Sequence, residues 1–192
     1  MKTILISLFC ILTVKITLAQ SDLLSFDEHN KYIFYQVVDM PGFSVDSLRD
    51  RGVNYLKVVY PKYKLKSKAG NNLTGEGSFL TYGGVSVLKH EKGEINYTFT
   101  IEFKDHKYRY WLTGFVFTPY QRDRYGNFVP QQGIDIPLET ADTKLDKKDL
   151  AAYLNETGAF CKKFGDGLKQ YITSVPAPKK EEMTKKVVTD KW

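Results

Sequence analysis

The sequence predicts an α+β fold, an antiparallel sheet with two helices on one face, and three observations carry that prediction. "INYTFTIEF" alternates apolar and polar residues from Ile95 to Phe103, the period of a half-buried strand. "SVDSLRDRGVNYLKVVYP" repeats apolar residues at helical spacing until a proline stops it. Leu150, Tyr153, Leu154, Cys161, Phe164, Leu168, Tyr171 and Ile172 recur at three, four and seven, which marks a second, longer helix. The order strand, helix, several antiparallel strands, helix puts both helices against one face of one sheet.

The chain opens with "MKTILISLFCILTVKITLA", in which a basic start at Lys2, an apolar core from Ile4 to Val14 and a small residue at Ala19 form a secretory signal pattern. Residues 1–19 are therefore expected to be a signal peptide and the protein to be exported, periplasmic or secreted. Lys15 interrupts an apolar run too short for a bilayer, so no transmembrane segment is expected after cleavage. Cys10 lies inside the apolar core and Gln20 holds the cleavage position, so no lipid anchor is indicated. Without Lys2 and Lys15, 26 of the 28 basic residues remain against 22 acidic ones, a surplus of four. That surplus favours anionic surfaces weakly and lacks the basic stripe of a nucleic-acid binder. Cys161 is then the only cysteine, which rules out an intramolecular disulfide and leaves stability to the core. Residues 20–174 have the length of a single domain, and the Pro-rich, charged residues 175–192 read as a flexible tail.

"KYIFYQVVDM", Lys31 to Met40, is rich in aromatic and β-branched residues and ends at Pro41-Gly42, so it reads as a strand and turn. The first helix follows, with Ser44 as N-cap, Asp46 in its first turn and Pro61 beyond its end. Gly52 falls on its apolar face and implies close approach to the sheet. "LTGEGSFLTYGG" reads as a strand bounded by glycines. Gly75-x-Gly77 is no phosphate loop, because neither a lysine nor a helix start follows. "VSVLKHEKGE" reads as a short strand or loop leading to a turn at Lys92-Gly93.

A two-residue loop at Asp105-His106 sets a definite register: Lys104 opposite Lys107, Phe103 opposite Tyr108, Glu102 opposite Arg109, Ile101 opposite Tyr110, Thr100 opposite Trp111 and Phe99 opposite Leu112. One face is then apolar throughout, and Glu102 and Arg109 form a cross-strand ion pair on the other. From Thr118 to Asp142 the pattern dissolves, which predicts a functional loop or short strands near Asn127–Val129 or Ile134–Leu138.

These segments resemble domain of unknown function 4468, a family of exported proteins mostly from Bacteroidetes. The resemblance spans Lys31 to Ile172 and rests on the first strand leading into "PGFSVDSLRDRGVNYLKVVYPKYK", on "GEGSFLTY" and on "INYTFTIEFKDHKYRYWLTGF". It implies a TBP-like fold and supplies no catalytic residues. The family more often has glycine where His106 stands and alanine where Gly52 stands.

Asp105-His106 lacks the nucleophile and orienting group that a catalytic pair needs, and adjacent residues in a tight turn point apart. No catalytic residue is assigned. His29 and His90 share no ligand spacing with another histidine, so neither a metal nor a cofactor is expected. Tyr108 and Tyr110 fall on the apolar face, which argues against a nucleic-acid stacking platform. The sequons at Asn72, Asn96 and Asn155 are ascribed to chance, the second lying in a strand and the third in a helix. Tyr120, Arg122, Arg124, Tyr125 and Phe128 instead combine rings and guanidinium groups suited to acidic or planar partners. They are the candidate ligand- or partner-binding residues of a non-enzymatic domain that binds a partner protein, envelope component or small ligand through its sheet edge or this loop. The alternatives are a hydrolase built on carboxylates such as Asp123 and Asp135, and an envelope lipid binder.

Overall fold

The computed structural model describes residues 23–83 and 90–174, so the expected signal peptide and tail lie outside it. The elements run β1 (Ser25–Phe26), β2 (Tyr32–Asp39), α1 (Val45–Val59), β3 (Lys64–Ala69), β4 (Asn72–Gly83), β5 (His90–Lys104), β6 (Lys107–Arg122), β7 (Phe128–Pro130), β8 (Ile136–Pro137), a 3-10 helix (Leu138–Thr143) and α2 (Lys147–Ser174). The strands form an antiparallel sheet in the order β1-β2-β6-β5-β4-β3, with β7 and β8 added to the far part of β6.

The β5–β6 hairpin has the expected register at all six pairs from Lys104–Lys107 to Phe99–Leu112. Its turn places His106 at φ 63°, in the left-handed region where histidine is among the tolerated residues. The turn is clamped to the start of α1. Met40 N–H donates to the His106 carbonyl at 2.7 Å, and His106 N–H donates to the Phe43 carbonyl at 3.0 Å. Ser44 caps α1 as expected, its hydroxyl accepting from Ser47 N–H at 3.4 Å.

Both helices lie on the face formed by Ile95, Tyr97, Phe99, Ile101 and Phe103 of β5 and Tyr108, Tyr110 and Leu112 of β6, all buried. They come close because each presents a glycine. A Cβ on Gly52 of α1 would stand 2.5 Å from Phe103 Cζ, and one on Gly165 of α2 would overlap the Tyr110 hydroxyl. Phe164 of α2 then meets the rings of Tyr55, Tyr60, Tyr63, Phe99 and Tyr110. Arg51, buried on α1, stacks over Phe43 and donates to the Ile172 carbonyl in the last turn of α2, where a cation suits the helix dipole. Gly158, Gly165 and Gly167 do not interrupt α2.

Two expectations are corrected. Lys92-Gly93 is not a turn, because β5 begins at His90 and runs straight through it, shifting register once between Thr81 and Tyr82 on β4. Gly93 is required there by contact, since a Cβ would collide with the Phe117 ring and the Thr118 carbonyl. The segment after Thr118 is not one long loop either. β6 continues to Arg122, and both suggested short strands form as β7 and β8. A bulge in β6 at Gly114, φ +66°, hid this continuation by shifting the alternation so that Phe115 and Phe117 still face the core.

Candidate functional site: the helix-free face of the sheet

Alternation along β5 turns Glu94, Asn96, Thr98, Thr100 and Glu102 away from the core. Their pairing partners on β6 share that face, and no helix among the described residues packs on it. Charged and aromatic side chains collect at its two ends.

At the far end Tyr120 lies on β6, where burial, then the Glu94 charge, raises its pKa. Arg122 is the register partner of Phe128 and holds its guanidinium 5.0 Å above the Phe128 ring. The His90 ring stacks on the same phenylalanine at 5.1 Å and 20°. Arg124 sits 4.7 Å over Tyr125, which is 73% exposed. Of the five expected residues, only Arg124 and Tyr125 occupy the connecting turn. Tyr120 and Arg122 belong to β6 and Phe128 to β7.

Asp123 organises this turn, accepting the backbone N–H groups of Tyr125 and Asn127 at 2.8 Å each. The Asn127 N–H in particular holds its carboxyl below the ordinary aspartate range. Asp135 accepts from the Thr118 hydroxyl at 2.7 Å, and that oxygen accepts from the Asn96 amide at 3.2 Å. Each carboxylate named for a hydrolase thus has a structural partner of its own. Among the described residues no three His, Cys, Asp or Glu side chains gather as a metal site. Cys161 is fully buried, and burial pushes its thiol pKa up.

At the end beside the Asp105-His106 turn the expected Glu102–Arg109 ion pair forms, and the aromatic side chains around it were not anticipated. Arg109 Nε donates to Glu102 Oε2 at 2.5 Å, which raises the guanidinium pKa. Its guanidinium carbon lies 5.6 Å from the Trp111 ring centroid, and Tyr35 and Trp111 are 6.4 Å apart at 31°. Tyr35 and Val37 are 51% and 50% exposed and border a hollow of about 200 Å³ shared with Lys104 and Lys107. Sequence reasoning missed it because β2 reaches β6 through a pairing of distant segments. A larger groove of about 830 Å³ lies on the helical side, lined by Tyr55, Val59, Tyr60 and Tyr171 with Lys162 and Lys163.

The family model described as domain of unknown function (DUF4468) with TBP-like fold matches residues 34–118. Over those residues the chain is similar to the DUF4468 family. Among solved structures, a TBP-like protein from Parabacteroides distasonis is similar at TM-score 0.61 and 13% identity, covering 79% of this chain and 98% of its own. A DUF4468 family protein from Bacteroides ovatus is similar at TM-score 0.58 and 16% identity, covering 81% and 93%. At such identity the likeness bears on the fold alone, and it agrees with the TBP-like arrangement of sheet and helices. No curated protein matches the chain. The DUF4468 match ends at Thr118, so β7, β8 and α2 lie beyond it.

Proposed function

We propose that this DUF4468-like protein is an exported binding domain, not an enzyme, that recognises an anionic partner at the far end of its helix-free face. The observation that carries this reading is the pairing of rings with cations there: Arg122 over Phe128, and Arg124 over Tyr125. Neither arginine has an ion-pair partner among the described residues. Their planar groups are held by stacking, so they present donors to carboxylate, sulfate or phosphate without first breaking a salt bridge. Export is supported by the signal pattern of residues 1–19.

Salt elution from sulfated agarose tests this reading. Arg122→Glu/Arg124→Glu should elute at clearly lower salt than Lys147→Glu/Lys148→Glu, which changes net charge equally on an exposed stretch of α2. Equal elution of the two variants would refer retention to net charge and overturn the site.

The groove between α1 and α2 favours a second reading, an envelope lipid binder. Tyr55, Val59, Tyr60 and Tyr171 would take an acyl chain, and Lys162 and Lys163 its head group. Native mass spectrometry of protein extracted from cells would reveal the bound lipid as added mass.

A further inference from the structure

The two edges of the sheet differ in how they are protected. β3, the edge beyond β4, carries exposed Lys64 and Lys66 and a register bulge between Leu65 and Ser67. Lysines and bulges on an edge strand keep other strands from adding to it. The opposite edge has neither. β1 pairs with β2 only at Tyr32 and Ile33, and residues 34–39 pair with β6 alone among the described residues, with no break in register. The stretch "YQVVD", Tyr35 to Asp39, contains no lysine and no proline.

Its backbone direction is fixed from both ends. Met40 N–H donates to the His106 carbonyl at 2.7 Å, and the Tyr32 carbonyl accepts from the Thr113 hydroxyl at 3.0 Å, so both residues face β6. In an antiparallel strand the N–H and C=O of a residue point to one side, and that side alternates along the chain. Gln36 and Val38 therefore bond β6, while Tyr35, Val37 and Asp39 aim both backbone groups outward. Tyr35 and Val37 are also half exposed, at 51% and 50%, and Asp39 is exposed.

We propose that this edge joins the same edge of a second copy, antiparallel about a twofold axis through Val37, so that two sheets become one. In that register Val37 meets Val37, and Tyr35 of each copy meets Asp39 of the other. Every outward-facing residue of the free stretch then enters a reciprocal hydrogen-bonded pair, and pairing stops short of Ile33, where β1 takes over. An axis through Gln36 would set Asp39 against Ile33, which β1 already holds. An axis through Asp39 would oppose like charges and bring Pro41 into the ladder. The free stretch is thus complementary to itself, with no charge facing its like and both half-exposed apolar side chains covered. A basic peptide is not selected, because Asp39 already stands opposite Lys107 of β6.

Sedimentation velocity over a concentration series tests this pairing. The protein should pass from monomer to dimer as concentration rises, and the amides of Tyr35, Val37 and Asp39 should exchange more slowly in step. Val37→Pro should abolish the dimer and keep the fold, since the N–H it removes points away from β6. Val37→Lys sets two cations face to face and should also abolish it; this variant decides if thermal melts show that the proline variant does not fold. Val58→Lys, at an exposed apolar position of α1, should leave the dimer intact. Tyr35 reads the register: Tyr35→Lys should dimerise about tenfold more tightly than Tyr35→Glu, because each would face Asp39 of the second copy. A monomer at every concentration up to the millimolar range would overturn the proposal. So would a dimer that the folded Val37 variants leave unchanged, or equal affinities for the two Tyr35 variants. A monomer whose Tyr35, Val37 and Asp39 amides become protected only on adding an extended peptide would overturn it in favour of a foreign strand.

Discussion

Asp105, in the turn between β5 and β6, accepts the backbone N–H of Val45 at 2.8 Å and so caps the first turn of α1 from outside the helix. With the two backbone hydrogen bonds of His106, it locks the hairpin to the helix start. The acid and histidine that resemble a catalytic pair in the sequence serve the architecture instead. Asp105→Ala should lower stability by about 1 kcal/mol, the usual worth of a cap. His106→Gly should keep both backbone bonds, relieve the left-handed strain and raise the melting temperature. Denaturant melts of the two variants should move in opposite directions, and a loss of stability in His106→Gly would contradict the strain assigned to φ 63°.

Gly165 should not tolerate alanine. Alanine is the better helix former, by about 1 kcal/mol. Its Cβ, however, would occupy the position of the Tyr110 hydroxyl, which donates to Gln36 Oε1 at 2.6 Å. Overpacking of that kind costs about 1–3 kcal/mol. A melt should show net destabilisation, and a more stable Gly165→Ala would mean that α2 lies farther from β6 than described.

The turn that presents Arg124 and Tyr125 should loosen in acid. Because Asp123 has a lowered pKa in the folded chain, its contribution is present above the unfolded value and lost as pH falls through the folded one. The window lies below about pH 4. The amide proton shifts of Tyr125 and Asn127 should titrate together there, with an inflection below that of free aspartate. Shifts unchanged through that range, or different inflections for the two amides, would remove Asp123 as the organiser of the turn.

Local patterns made the fold legible. Strict alternation over Ile95–Phe103 and a two-residue turn specified the hairpin register, and Ser44 and Pro61 delimited α1. Where contact, not turn chemistry, dictates a glycine, local reasoning failed. Gly93 looks like a turn residue and is a strand residue beneath Phe117, while Gly114 breaks the alternation and makes β6 appear to end early. The far cluster was visible because its residues are near in sequence, although two were expected in a loop and stand on β6. The Tyr35–Trp111 platform was invisible because β2 and β6 meet only when the sheet assembles.

The central claim is that recognition occurs on the helix-free face. Mapping backbone amide shifts during titration with a sulfated oligosaccharide tests it most directly. The account predicts saturable shifts at Tyr120, Arg122, Arg124, Tyr125 and Phe128, with Tyr60 and Tyr171 unmoved. Shifts confined to Tyr60, Tyr171 and their neighbours in the groove between α1 and α2 would contradict it.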